Sequence, residues 1–210
     1  MILSGGPDSV TVAYWAKNRG YDIHAITFDY GQIARKEIQH AVEIARELGV
    51  SHKIVDISAL SEIYEGVTSL TDEDIPITEG FSQPIIVPFR NGVFMAVAVA
   101  YASSIGAESV LYGAQGSDEA NYPDCRMEFY KAFQEAARLG TEQDITVDAP
   151  FNGMRKSEML KEGAKLGVPY QLTWSCYRNG ALHCGVCEAC KNRRSAFEES
   201  GIPDPSKYMN

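Results

Sequence analysis

The feature that most constrains this chain is an alternation. Short runs with the two-residue apolar period of a strand are followed repeatedly by longer runs with the 3.6-residue period of a helix. Met1 to Leu3 read as the tail of a first strand, and Ser9 to Arg19 as a helix stopped by Gly20. Asp22 to Phe28 read as a strand, Ile33 to Leu48 as a helix ended by Gly49, and Lys53 to Ile57 as a third strand. Asn91 is expected to cap an apolar helix that reaches Ser104, with Gly106 after it. Ser109 to Gly113, Met127 to Leu139, Asp144 to Val147 and Lys156 to Leu166 continue the pattern as strand, helix, strand and last helix. Strands separated by helices cannot pair as hairpins. The expected fold is therefore α/β, with a doubly wound, mostly parallel sheet. Polar residues 61–84 interrupt the pattern and are expected to form a mobile excursion over the sheet edge. The composition changes near Tyr170, which sets residues 1–170 apart from a cysteine-rich segment 171–210 packed on them as one structural unit.

Composition excludes several classes. The 210 residues suffice for one domain with a full core. A net charge of -9 opposes a chain that grips a nucleic-acid backbone, which needs neutralising Lys and Arg, so no direct nucleic-acid partner is expected. The longest apolar run, Val93 to Ala102, is too short to span a bilayer and reads as a buried helix. The N-terminus lacks the charged segment and apolar core of a signal peptide, and a cytoplasmic location is expected. The first strand is short for such a sheet, which implies residues upstream of Met1.

The string SGGPDS, residues 4–9, sits where the first strand hands over to the first helix. In open α/β sheets, ligands bind at the carboxyl ends of strands. Glycine lets the backbone approach a ligand closely, and successive N–H groups beside a helix N-terminus form a nest for an anion. Pro7 suits the first helical turn, and the hydroxyls of Ser4 and Ser9 can donate to phosphate oxygens. Asp8 cannot bind phosphate directly but can help hold Mg²⁺. A tight turn alone would also explain two glycines; the full string in this position favours a loop around a phosphate chain. It is not a Walker A loop, because the Gly-Lys-Ser/Thr ending is missing, and it is not the dinucleotide G-x-G-x-x-G fingerprint.

Four of the five cysteines form a C-x7-C-x2-C-x2-C array: Cys176, Cys184, Cys187 and Cys190. Two-residue gaps let neighbouring thiolates turn onto one tetrahedral ion, and a complete set of four leaves no open position. The expected cofactor is one structural Zn²⁺ per chain, with disulfides or an iron–sulfur cluster as the other ways to use such sulfurs. Lys191, Arg193 and Arg194 are expected to offset the site's negative charge. His183 reads as outside the ligand set, and Cys125 as a small buried residue.

These motifs together carry a resemblance. SGGPDS resembles the SGGxDS signature of the PP-loop, or N-type ATP pyrophosphatase, superfamily. FDYGQ at 28–32, VPFRN at 87–91, YPDCR at 122–126 and LTWSCY at 172–177 resemble, in order, segments of the 7-cyano-7-deazaguanine synthase (QueC) family. The resemblance runs over nearly the whole chain. It departs at Ile33 and Ala34, where the family's pattern carries Arg-His; Arg35 is the nearest residue to take over that role. The resemblance implies a Rossmann-like fold, a homodimer, and an ATP-dependent ligase acting on 7-carboxy-7-deazaguanine and ammonia. It implies that Leu3, Ser4, Gly5, Gly6, Pro7, Asp8, Ser9, Val10 and Thr11 bind ATP with Mg²⁺, and that Phe28, Asp29 and Tyr30 flank the nucleoside. Asp8, Arg90 and Lys156 become the candidate catalytic residues, with Lys156 at the α-phosphate. Arg90, Asn91, Asp118, Tyr122, Asp124 and Arg126 become the candidate substrate-binding residues. Within that set, Asp118 and Asp124 would accept from the base's N–H edge, and Tyr122 would stack on the base. The rival readings are a tRNA-modifying PP-loop enzyme, a relative that joins the deazaguanine carboxylate to another amine, and a non-enzymatic zinc module.

Overall fold

A computed structural model describes residues 1–79 and 81–209. Its centre is the N-terminal segment. Leu3 N donates to Ile26 O at 2.8 Å and Ile26 N to Met1 O at 2.9 Å, while Ile2 N donates to Leu111 O at 2.8 Å. These bonds put residues 1–3 between strand β1 (His24–Asp29) and strand β3 (Ser109–Leu111). Outside them lie β2 (Ser51–Asp56), parallel to β1 with His24 opposite Ser51, and β4 (Thr146–Asp148), parallel to β3 with Ser109 opposite Thr146.

Strand side chains alternate between faces, and each face is covered by helices. Ile2, Ile26, Phe28, Val110 and Val147 pack with α4 (Arg90–Ile105) and α5 (Met127–Thr141). Leu3, Ala25 and Leu111 pack with α1 (Pro7–Asn18), α2 (Lys36–Leu48), α6 (Lys156–Lys165) and α7 (Glu188–Ser200). The expected doubly wound sheet is present, with the chain's first residues at its middle. Among the described residues, no helix is long and apolar enough to cross a membrane.

Three expectations need correction. Helix α7 lies in the cysteine-rich segment, so α6 is not the last helix as expected. The cysteine spacing masks its start, because Cys187 is its N-cap and Cys190 lies in its first turn. A short helix α3 (Leu60–Ile63) and a packed turn occupy the stretch expected to be a mobile excursion. Thr68 and Ser69 are buried, Ile33 N donates to Leu70 O at 2.8 Å, and Ser69 N to Pro84 O at 2.8 Å. That stretch includes Gly80, which lies outside the described residues. Asn91 does not cap α4. Phe89 is the N-cap, with φ at 58°, and the Asn91 N–H is taken by Asp124 Oδ2 at 2.9 Å. A distant carboxylate thus satisfies a first-turn donor that a local side chain was expected to serve.

Candidate functional site

The SGGPDS loop is shaped from behind. Gly5 has φ +82, and a Cβ there would lie 2.3 Å from Glu37 O and 2.8 Å from Ala41 N, so the α2 backbone leaves room for glycine alone. Ser9 Oγ accepts from Ser4 N at 3.1 Å and lies 3.0 Å from Ser4 Oγ, which ties the two ends of the loop together. Helix α1 then starts at Pro7, with Gly6 as N-cap and no side chain capping it. Its first turn keeps the positive end of its dipole for a ligand.

A cavity of about 280 Å³ opens in front of this loop, at the carboxyl ends of the strands. A second cavity of about 400 Å³ lies at their amino ends, beside Met1, His24 and Ile105, and includes none of the motif side chains. The chemistry-bearing groups converge on the smaller one.

At the end where the loop is expected to hold phosphate, Lys156 Nζ donates to Asp8 Oδ2 at 2.8 Å. Asp8 Oδ1 is buried and has no hydrogen-bond partner. Burial works against the Lys156 charge, but Asp8 and then Asp118 outweigh it and raise its pKa. Asp118 is pushed up to about 7 by burial first and by the Asp8 carboxylate second. An orphaned carboxylate oxygen beside a second carboxyl is a donor set that suits Mg²⁺, which prefers oxygen ligands shared with phosphates.

A second corner holds Arg90, at the start of α4. Its guanidinium lies 5.6 Å from the Tyr30 ring centroid and 5.8 Å from that of Phe94. Its Nη1 donates to Tyr30 Oη at 3.3 Å, and its Nε is buried without a partner. Glu37 accepts from Gln32 Nε2 at 3.0 Å in the same corner. Burial pushes the Glu37 carboxyl up to about 7, against the pull of Arg90 and the Gln32 hydrogen bond.

The third wall comes from the cysteine-rich segment. Tyr177, Glu188 and Asn192 line the cavity together with Tyr122. Behind them the sulfurs of Cys176, Cys184, Cys187 and Cys190 lie within 4.8 Å of one another, all buried. All four are free thiols, which removes the disulfide alternative. Backbone N–H groups of Arg178 and Cys184 point at Cys176 Sγ, each at 3.4 Å, and favour its thiolate form. Four soft donors in that arrangement fit one tetrahedral zinc. His183 is buried, accepts from Ser175 N at 3.2 Å, and lies against Trp174 with ring centroids 4.2 Å apart and the rings tilted by 34°.

The structure brings some expected residues to the cavity and not others. Ser4, Gly6, Pro7, Asp8, Ser9, Tyr30, Arg90, Asn91, Asp118, Tyr122 and Lys156 line it. Leu3, Val10 and Thr11 are buried in the core behind the loop, and Gly5 supports it. Phe28 stacks on Phe94 at 4.3 Å, and Asp29 holds the Gly31 N–H at 3.1 Å; neither side chain lines the cavity. Asp124 and Arg126 also lie off the wall: Asp124 serves α4, and Arg126 Nε donates to Glu119 O at 3.0 Å. Arg35 is exposed, while Ala34 contributes to the wall.

Arg193 does not sit over the cysteines as a free counter-charge. It is fully buried, with Nε on Asp204 Oδ1 at 3.1 Å, Nη1 on Thr173 Oγ1 at 2.8 Å and Nη2 on Tyr170 O at 3.0 Å. Arg194 lies over the Tyr208 ring at 5.0 Å, and Lys191 is 3.8 Å from Glu79. Sequence reading missed Glu37, Glu188 and Asn192 as wall residues. Glu188 lies inside the cysteine array and Glu37 five residues past the FDYGQ string, but only the fold turns either toward the cavity.

The chain matches the family model described as queuosine biosynthesis protein QueC over residues 1–201. It is 41% identical to the 7-cyano-7-deazaguanine synthase 1 of Colwellia psychrerythraea, covering 99% of this chain and 97% of that protein. It is 40% identical to the 7-cyano-7-deazaguanine synthase of Caldicellulosiruptor bescii, over 99% and 96% respectively. Among solved structures, NMN synthetase from Francisella tularensis superposes with a TM-score of 0.54 at 20% identity, over 96% of this chain and 76% of that one. That likeness establishes a shared α/β fold.

Proposed function

The chain belongs to the QueC family of queuosine biosynthesis proteins, and from that premise we propose that it is an ATP-dependent ligase converting 7-carboxy-7-deazaguanine and ammonia to 7-cyano-7-deazaguanine. One observation carries the reading. The phosphate-shaped loop, the Lys156–Asp8 pair, Arg90 and an aromatic, hydrogen-bonding wall all open onto one cavity.

The reaction needs two activations at one α-phosphorus. The substrate carboxylate attacks ATP and expels pyrophosphate, giving an acyl adenylate. Ammonia adds to that carbonyl; AMP and a proton leave, and the amide remains. The amide oxygen then attacks a second ATP, again expelling pyrophosphate. Loss of AMP and of both amide N–H protons leaves the nitrile. Both activations present an oxygen to the same phosphorus, so one site serves twice. The protein's contribution is positioning and charge stabilisation.

In this reading Ser4, Ser9 and the N–H groups of the loop hold the β,γ-pyrophosphate. Lys156 stabilises charge developing at the α-phosphate, and Arg90 orients the substrate carboxylate with two parallel N–H donors. Tyr30 flanks the nucleoside. The orphaned Asp8 Oδ1, with Asp118 nearby, is the oxygen set that would hold Mg²⁺ with ATP, where the ion neutralises pyrophosphate charge. The four cysteines would hold a structural Zn²⁺ that fixes the third wall. We take the enzyme to be a cytoplasmic homodimer that receives ammonia free or from a partner and touches neither nucleic acid nor membrane. The exposed apolar side chains Phe81, Phe89 and Met127 support the dimer.

The test is mass spectrometry of a reaction containing the purified chain, ATP, Mg²⁺, ammonium and 7-carboxy-7-deazaguanine. Nitrile together with AMP is the expected outcome. Absence of AMP from zinc-loaded protein overturns the reading. A second reading, in which the carboxylate is joined to a larger amine, draws on the small Ala34 side chain in the wall. It is favoured if AMP appears and primary amines replace ammonium.

A further inference from the structure

We propose that Glu188 is the residue that selects the base, accepting the adjacent N1–H and exocyclic amino N–H of the deazaguanine ring as a bidentate pair. The assignment rests on the substrate class argued under Proposed function.

Glu188 is 8% exposed and forms part of the cavity wall. Its two oxygens are both held. Tyr177 Oη donates to Oε2 at 2.8 Å, and Asn192 Nδ2 donates to Oε1 at 2.6 Å. Each carboxylate oxygen offers about two acceptor directions, so one protein donor per oxygen leaves one further direction on each. A carboxylate held this way presents two side-by-side acceptors in a fixed orientation. Among the described residues it makes no ion pair. A buried carboxylate supported only by neutral donors gains from any further donor that a ligand brings.

A 7-deazaguanine ring carries one such pair of adjacent donors. They stand on the six-membered ring, across the fused system from the substituent at C7. A base whose C7 carboxylate faces the phosphate end therefore turns its donor pair away from that end.

The other acidic groups are committed elsewhere. Asp118 belongs with Asp8 and Lys156, whose charges perturb it ahead of Glu188. Asp124 serves the first turn of α4. Glu37 is held by Gln32 and faces Arg90. Glu188 also shares its wall with the Tyr122 and Tyr177 rings, flat surfaces suited to a planar base.

The experiment compares 7-carboxy-7-deazaguanine with its analogue lacking the exocyclic amino group, reading AMP release as kcat/KM. The wild type is expected to prefer the amino-bearing substrate by about 100-fold, because the analogue leaves a buried charged acceptor unpaired. Glu188→Gln is expected to raise KM for the parent substrate, leave KM for ATP unchanged, and reduce the preference to a few-fold. Glu188→Asp keeps the charge one methylene short and is expected to fall between the two; it decides the matter if the Gln variant does not fold. A wild type that converts the parent but ignores the amino group overturns the assignment and leaves the ligase reading intact. So does a preference retained in Glu188→Gln, or lost instead in Glu37→Gln. A zinc-loaded wild type that releases no AMP with the parent overturns both.

Discussion

The phosphate end of the cavity and the cysteine-side wall are built in opposite ways. The phosphate end is local. Six consecutive residues, Ser4 to Ser9, make the loop, and only Lys156 and Asp118 come from afar. The cysteine-side wall is collective. Tyr177, Glu188 and Asn192 line the cavity because four cysteines gather behind them and Arg193 anchors α7 to Thr173, Tyr170 and Asp204. A local loop tolerates change elsewhere and fails at single atoms. A collective wall tolerates many surface changes and fails as a unit when its anchor goes.

The largest expected effect tests the collective side. Cys187→Ser should remove the metal site and lower stability by on the order of 5 kcal/mol, because binding free energy at a structural zinc is folding free energy. Zinc content with thermal unfolding measures it. Loss of the metal with an unchanged melting temperature would break the comparison, since the tail would then be a separate module.

Next comes Gly5→Ala on the local side. Its Cβ would meet the α2 backbone at 2.3 Å with φ at +82, so about 3 kcal/mol of destabilisation is expected by denaturant unfolding. A smaller cost would mean that α2 yields and that the loop is not shaped from behind.

Lys156→Ala should sharpen the contrast. We expect kcat to fall by about 100-fold, roughly 2.7 kcal/mol, as for loss of one group that stabilises transition-state charge. Zinc content should not change. A variant that loses metal along with activity would show that the two regions are not separable.

The last test concerns pH. The Glu37 carboxyl stands at about 7 in the folded chain against an ordinary value of 4.5. The folded state therefore holds an extra proton between those values, so its contribution is fullest below 4.5 and is lost as pH rises toward 7. Glu37→Gln should flatten the fall in stability across that window. Parallel pH profiles for variant and wild type would place the proton elsewhere, with Asp118 the next group to substitute.

By itself the sequence determined the alternation of strand and helix, the loop and the cysteine set. Each is written in short-range spacing: periods of two and 3.6, glycines beside a Pro-Asp-Ser, thiols two residues apart. Tertiary structure alone decided what those pieces face. Residues 1–3 lie at the middle of the sheet through bonds to Ile26 and Leu111, and that placement sets the loop at the switch point of the fold. Asp124 looked free for a base and instead closes the first turn of α4, whereas Glu188, unmarked among cysteines, lines the cavity. Arg193 looked like a counter-charge to the cysteines and is a buried anchor. The physical reason is common to all three. A side chain's chemistry is carried by its type, but whether it meets solvent, backbone or a cavity depends on how the whole chain packs around it, and no local pattern encodes that.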